Sequence, residues 1–285
     1  MTHTNEGAPN LTLVTGATGK TGRRVVGRLE ALGVPVRKAS RSTDPAFDWD
    51  DPATWTPVLK DVAAVYLAYH PDLAVPGAAD TIRAFVGQAV RSGVRRLVLL
   101  SGRGEEEAQR CERIVQEAGV DWTVLRATWF SQNFSEGFMR DLVLGGVVAL
   151  PAGDVREPFV DVEDIADVAV AALTEPGHAG QVYELTGPRL LTFADAVGTI
   201  AEVTGRDVAY VPVSHEAFLS ALEAQGVPEA YVGLLDYLFR EVMDGRNSRL
   251  TDGVRRALGR APRDFSAYAR EAAAAGYWRD QEVPA

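Results

Sequence analysis

The sequence predicts an α/β protein built on a doubly wound parallel sheet, with a smaller, mostly helical lobe behind it. Three observations carry that prediction. Short apolar runs alternate with amphipathic stretches of helical length over the first 126 residues. The runs VAAVYLA and RRLVLL are apolar on both faces, as strands covered by helices on each side should be. The first run closes in a glycine-rich turn that leads straight into a helix pattern.

Taken in order, Leu11–Val14 is the first strand and ends in TGATGKTG. A helix follows with Val25, Val26, Leu29 and Leu32 on one face, and Gly33 stops it. Val34–Ser40 reads as the second strand, with Pro35 near its beginning, where a strand tolerates it. The pattern repeats with a strand at Ala63–Ala68, a helix at Ala79–Ser92 and a strand at Arg96–Ser101. A helix at Glu105–Ala118 and a strand at Trp122–Leu125 complete it. After Arg126 the rhythm changes. Aromatic residues cluster in TWFSQNFSEGF, Asp161–Leu173 reads as an amphipathic helix, and Thr192 with Asp195 forms a capping-box pattern before another. The stretch from Ser214 to Trp278 reads as mostly helical, punctuated by Gly and Pro. The expected division is a flexible segment at 1–9, a sheet-bearing core at 10–126, and a lobe at 127–285 interleaved with late sheet strands.

Composition narrows the function. A net charge of -10 argues against a broad basic footprint for nucleic acid but leaves room for a small basic pocket. With one cysteine, Cys111, an internal disulfide is excluded. The four histidines, His3, His70, His178 and His215, are too scattered for metal-ligand spacing, so no metal is expected. No segment approaches the ~18 uninterrupted apolar residues of a membrane span. The first ten residues are polar and lack a secretory pattern, so a cytoplasmic location is the expectation. A monomer or homodimer acting on a small molecule fits these limits.

Gly16, Gly19 and Gly22 fall in the order GxxGxxG between a strand and a helix. The first allows a tight turn, the second lets the backbone approach a pyrophosphate, and the third lets helix pack on strand. The helix N-terminus then offers N–H groups to phosphate. A phosphate-cradling P-loop needs a glycine five residues before Gly19, where Val14 stands, so that alternative fails. The turn is the dinucleotide-binding one, and the sheet is of the Rossmann type. An NAD site places an acid at the end of the second strand. Here Ser40 and Arg41 stand there, with Lys38 close by, and a guanidinium suits a 2′-phosphate. NADPH is the expected cofactor.

The chain resembles the NmrA-like branch of the atypical short-chain dehydrogenases. The resemblance rests on TGATGKTG, Arg41, FDWDDPATW before VAAVYLA, RRLVLLSGRG, GVDWTVLRATWFSQNF and PFVDVEDIADVAVAAL. It implies that Ala17, Thr18, Lys20 and Thr21 join the three glycines around the cofactor. It places Asp50 near the adenine, and Leu67, Ala68 and Tyr69 along the cofactor after the fourth strand. Ser101 and Gly102 would sit beside the nicotinamide ribose. Thr128, Trp129 and Phe130 would border the nicotinamide and the substrate, with Asn133 and Phe134 behind. On the residues alone, Trp129, Phe130 and Phe134 read equally well as core aromatics. Asp161 and Asp164 read as helix N-terminal carboxylates rather than catalytic groups.

One departure bears on the chemistry. Mainstream short-chain dehydrogenases use a tyrosine with a lysine four residues later as a proton relay. No lysine follows Lys60, so no tyrosine completes YxxxK, and Arg103 stands where the usual serine would be. Tyr69, His70, Ser101 and Arg103 are the polar candidates that remain. The expectation is an NADPH-dependent reductase of a quinone or aromatic ketone, protonated with help from the substrate. Atypical ketoreductases of aromatic, angucyclinone-type polyketides in actinobacteria are the resembling case. A non-catalytic redox sensor of the NmrA type is the alternative, and nucleotide-sugar epimerase chemistry ranks below both.

Overall fold

The computed structural model describes residues 11–279. The segment 1–9, expected to be flexible, lies outside the described residues. The chain begins with β1 (Leu11–Thr15), α1 (Gly22–Ala31), β2 (Val36–Ala39), α2 (Trp55–Leu59) and β3 (Val62–Leu67). It continues with α3 (Ala78–Arg91), β4 (Arg96–Gly102), α4 (Glu106–Gln116) and β5 (Asp121–Ala127). The strand ending at Leu67 is therefore the third in chain order, not the fourth. Then come α5 (Asn133–Glu136), α6 (Phe138–Leu144), β6 (Val147–Leu150), α7 (Val162–Thr174), β7 (Gln181–Leu185), α8 (Phe193–Thr204) and β8 (Ala209–Pro212). Four further helices follow: α9 (His215–Ala224), α10 (Glu229–Tyr237), α11 (Gly253–Leu258) and α12 (Phe265–Ala274). A π-helical turn at Leu238–Val242 follows α10.

Six strands form one sheet in the order β2-β1-β3-β4-β5-β7. β1 runs parallel to β2 and to β3, and β3 parallel to β4, with Leu13 opposite Val65 and Val65 opposite Leu97. All six residues of β3 are buried, which is why its sequence shows no alternation. The chain order reverses between β1 and β3, where open α/β sheets form a crevice at the carboxyl ends of their strands. Thr15 joins the two strands at that point. Its hydroxyl accepts the Ala68 N–H at 2.8 Å and donates toward the Ala68 carbonyl at 3.1 Å. On α1, Val25, Val26 and Leu29 are buried as expected, but Leu32 is 63% exposed. The helix ends at Ala31 and the chain turns away through Gly33, at φ +71°, so Leu32 leaves the buried face.

The chain divides into two compact units. The first comprises Met1–Arg126, Ile165–Tyr183 and Arg256–Leu258. Its core joins Leu13, Val65 and Leu97 to an aromatic group of Phe47, Trp49, Trp55 and Phe85. The returning segment is anchored by polar contacts. Arg28 pairs with Asp167 at 2.6 Å, Arg96 donates to the Leu173 carbonyl at 2.8 Å, and Thr123 donates to the His178 carbonyl at 2.8 Å. The second unit comprises Ala127–Asp164, Glu184–Arg255 and Gly259–Ala285. It holds the parallel pair β6 and β8, and a core of Phe134, Phe159, Phe193 and Phe265 under α8 and α12. Thr192 and Asp195 form the expected capping box on α8.

Candidate functional site

The glycine turn is shaped by backbone contacts that exclude side chains. Gly16 adopts φ +60°, the left-handed region that glycine enters without strain. A Cβ on Gly22 would stand 2.1 Å from the Gly16 carbonyl oxygen, so α1 can start this close to the turn only with glycine there. The Gly19 N–H donates to the Gly16 carbonyl at 2.9 Å, and the Arg23 N–H to Gly19 at 3.2 Å. Ala17 and Thr21 are buried, Thr18 and Gly19 are exposed, and Lys20 is half-buried. Helix α1 starts with no side-chain cap on Thr21 and no acid in its first turn. Its positive end therefore carries no built-in anion.

On the neighbouring strand end, Arg41 is exposed and makes no hydrogen bond or ion pair with the described residues. Ser40 is organised locally: its N–H donates to the Thr43 hydroxyl at 3.0 Å, and its own hydroxyl lies 3.1 Å from that of Ser42. Lys38 pairs with Glu30 at 3.0 Å, so its ammonium is engaged with α1. In FDWDDPATW, Phe47, Trp49 and Trp55 turn inward while Asp50 stays exposed. The Trp55 indole N–H fixes the loop by donating to the Asp48 carbonyl at 2.8 Å. The structure packs Tyr69 against Trp49, the neighbour of Asp50. The Tyr69 ring lies 5.0 Å from that of Trp49, and its phenol is held above the ordinary range by burial, with a further push from the Asp50 charge. Leu67 is buried, Ala68 half-buried and His70 exposed.

The end of β4 differs most from expectation. Ser101 is 4% exposed and its hydroxyl donates to Glu112 Oε1 at 2.7 Å. Glu112 is also held by Arg126, whose Nε donates to Oε1 at 2.9 Å. The Ser101 proton is thus directed into the packing between α4 and β5. Arg103 is buried. At Gly102 a Cβ would lie 2.1 Å from the carboxyl atoms of Glu105, so that side chain folds back over the last residue of β4. Glu105 lies within electrostatic reach of Asp72, from the loop after β3. Burial, then the Asp72 charge, pushes the Glu105 carboxyl well above the usual carboxylate range. Neither Asp72, Glu105, Glu112 nor Arg126 was expected. GRGEEE reads as an ordinary acidic helix start, and nothing local marks which glutamate turns back.

The other expected residues lie in the second unit. The Thr128 hydroxyl is buried and donates to the Pro158 carbonyl at 2.8 Å. Trp129 and Phe130 are half-buried, and Phe130 bridges to Val160. The Trp129 ring packs 5.0 Å from Phe239 of the π-helical turn and 5.7 Å from Phe193. Asn133 is half-buried at the start of α5. Phe134 is fully buried against Phe159, Phe193 and Phe265, the placement of a core aromatic. Asp161 and Asp164 are buried anchors for the C-terminal segment. Arg263 donates to Asp161 at 2.7 Å and Arg260 to Asp164 at 2.6 Å. Among the described residues, no group of three or more His, Cys, Asp or Glu is placed to hold a metal ion, and no helix is long and apolar enough to cross a membrane.

Comparison with known proteins adds the family. Residues 16–176 match a family described as NAD(P)H-binding, and residues 106–269 match the NmrA-like family. An uncharacterized oxidoreductase of Bacillus subtilis is 33% identical, covering 94% of this chain and 96% of its own length. The (4-alkanoyl-5-oxo-2,5-dihydrofuran-3-yl)methyl phosphate reductase of Streptomyces griseus is 31% identical, covering 92% of this chain and 98% of the relative. In fold, the chain is similar to an NADPH-dependent quinone oxidoreductase of Escherichia coli solved with NADPH. The TM-score is 0.75 at 23% identity, covering 91% of this chain and 99% of that one. With a glycine turn built for close backbone approach, a Rossmann sheet and these matches along its length, the chain belongs to the NmrA-like family of NAD(P)H-binding oxidoreductases.

Proposed function

We propose that the protein is an NADPH-dependent reductase of a quinone or an aromatic ketone, of the kind that tailors aromatic polyketides, working without a tyrosine–lysine relay. The observation that carries this reading is the pairing of two features at adjacent strand ends. A glycine turn with no room for a Cβ at Gly22 opens α1, and an exposed Arg41 stands where an NAD site would place an acid. The turn fits a pyrophosphate, because the first turn of α1 presents its positive end with neither cap nor acid in the way. When bound, the reduced nicotinamide supplies the hydride.

The chain's own residues then divide the work. Gly16, Ala17, Thr18, Gly19, Lys20, Thr21 and Gly22 hold the pyrophosphate side. Arg41, with Ser40, holds the 2′-phosphate, and Asp50 lies toward the adenine. Leu67, Ala68 and Tyr69 follow the dinucleotide beyond β3. Ser101, Gly102 and Thr128 are assigned to the nicotinamide ribose side, and Trp129, Phe130 and Asn133 to the substrate. Positioning a substrate against a hydride donor lowers the barrier through entropy already lost on binding. The acid catalysis a relay would add is typically ~10²–10⁴ in rate. An electrophile that is easily reduced can therefore turn over without it.

The test is NADPH consumption by purified protein against simple quinones and polycyclic aromatic ketones. Turnover with the polycyclic ketones is the expected result. Turnover with simple quinones alone narrows the reading to quinone reduction. Tight NADPH binding with no consumption across the panel would overturn the reductase and leave a dinucleotide sensor.

A further inference from the structure

Three of the four polar candidates are poorly suited to protonate the oxygen left by hydride addition. The Ser101 proton goes to Glu112, and burial makes the Tyr69 phenol a poorer acid than usual. Arg103 carries a guanidinium that stays charged and holds an anion without yielding a proton. His70 is exposed to solvent. The carboxyl of Glu105 is the group in this region built to keep a transferable proton. It is 7% exposed, it lies over Gly102 where a Cβ would fall 2.1 Å away, and its Oε2 has no hydrogen-bond partner. The Asp72 charge acts on its carboxyl group, and the Ala74 N–H donates to Asp72 Oδ1 at 2.8 Å. Two carboxyl groups sharing one site cannot both ionise cheaply, so one proton stays between them. Both residues leave the carboxyl edge of the sheet, after β3 and β4, on the side of the strand-order reversal.

We propose that Asp72 and Glu105 form a proton store and that Glu105 hands its proton to the oxygen of the carbonyl or quinone under reduction. This rests on the reductase reading above. The substrate carbon takes the hydride and its electron pair from NADPH, and the π pair of the C=O bond moves onto oxygen. The Glu105 O–H bond breaks as the substrate O–H bond forms. The substrate gains a hydride, with its two electrons, and one proton; NADPH is oxidised to NADP⁺, and the Glu105 carboxylate regains a proton from water through the half-buried Asp72. The charges acting on Glu105 are those of Asp72 and Glu112, both negative, and Arg103 lies two positions before it on the same loop.

The variants are Glu105→Gln, which keeps shape but cannot give up a proton, and Asp72→Asn, which removes the sharing partner. In the protein without cofactor, carboxyl-labelled ¹³C NMR is expected to show a glutamate that titrates well above the ordinary range and disappears in Glu105→Gln. In single turnovers with NADPH and the substrate panel, Glu105→Gln is expected to lose ~10²–10⁴ in hydride-transfer rate. NADPH affinity should stay unchanged. The wild-type rate should fall as pH rises through the Glu105 titration, and the variant should lose that limb. Should Glu105→Gln fail to fold, Asp72→Asn decides: its pH limb should move to lower pH, and an unmoved limb overturns the proposal. A glutamate titrating in the ordinary range overturns the proposal, as does a Glu105→Gln enzyme with wild-type rate and pH profile, and in the latter case the reductase reading stands. A wild type that binds NADPH and consumes none overturns that reading and the donor role together.

Discussion

At Gly22 the constraint is steric and rigid, because the atom a Cβ would strike belongs to the backbone of Gly16. Overpacking of this kind typically costs ~1–3 kcal/mol. Gly22→Ala is expected to lower the melting temperature or to displace α1 from the turn and weaken NADPH binding. Calorimetry and a fluorescence titration would register either effect, and a variant equal to wild type in both would contradict the steric account. Arg41 poses the opposite case, since it makes no hydrogen bond or ion pair with the described residues. Arg41→Glu should leave the melt unchanged and weaken NADPH by roughly tenfold or more, the scale of a lost charge-assisted hydrogen bond. NADH binding should not fall with it. Unaltered NADPH affinity would remove Arg41 from the 2′-phosphate site. Tyr69 and Ser101 show why residue type alone misleads. Each carries a hydroxyl near the expected site, yet the surroundings of one raise its pKa and the partner of the other takes its proton.

At the scale of the element, the helices are held by ends as well as faces. α8 has a complete capping box, in which the Asp195 N–H donates to the Thr192 hydroxyl at 3.0 Å and the Thr192 N–H donates to Asp195 at 2.9 Å. Thr192→Ala should cost about 1 kcal/mol, the usual loss for an N-cap. Urea denaturation would report it as a lower midpoint with unchanged slope, and no shift would mean that tertiary packing alone holds α8. α4 is tied differently, through Glu112, which binds Ser101 on β4 and Arg126 on β5 while itself 2% exposed. The strand and helix periods made α4 and α8 legible in the sequence, and the Thr-x-x-Asp spacing made the α8 cap legible too. The Glu112 tie was not legible, because its partners lie eleven residues before it and fourteen after. Nor was the core role of Phe134, since an aromatic motif looks the same whether it lines a site or fills a core.

For the whole molecule, the buried acids set the response to pH. A carboxyl whose pKa is raised on folding contributes stability that is present below the ordinary carboxylate range and lost as pH rises through the folded value. Glu105 and Asp72 are both raised, chiefly by burial. Stability should therefore decline from the acid side toward neutral and alkaline pH, and Glu105→Gln should remove part of that decline. Melting temperatures of the two proteins across that range test it: parallel curves would mean Glu105 does not hold its proton in the fold. Asp264 acts at the other end. Burial alone would raise it, but Arg189 and the Ser266 hydrogen bonds bring it down to about 2. Its contribution is present above the ordinary carboxylate range and is lost only as pH falls toward that value.

Local pattern was enough for the fold class and for the tight glycine turn between β1 and α1. Both depend on residues close in sequence: strand and helix periods and a glycine triplet. Each acts through backbone geometry or a short-range steric limit, so a linear reading retains it. Leu32 marks where even a local pattern yields, because its exposure depends on where the helix stops. The ionisable chemistry belonged to the tertiary structure. A pKa or a hydrogen-bond partner is set by what burial and topology bring within a few ångströms. The Asp72–Glu105 pair joins two loops 33 positions apart only because β3 and β4 lie side by side in the sheet.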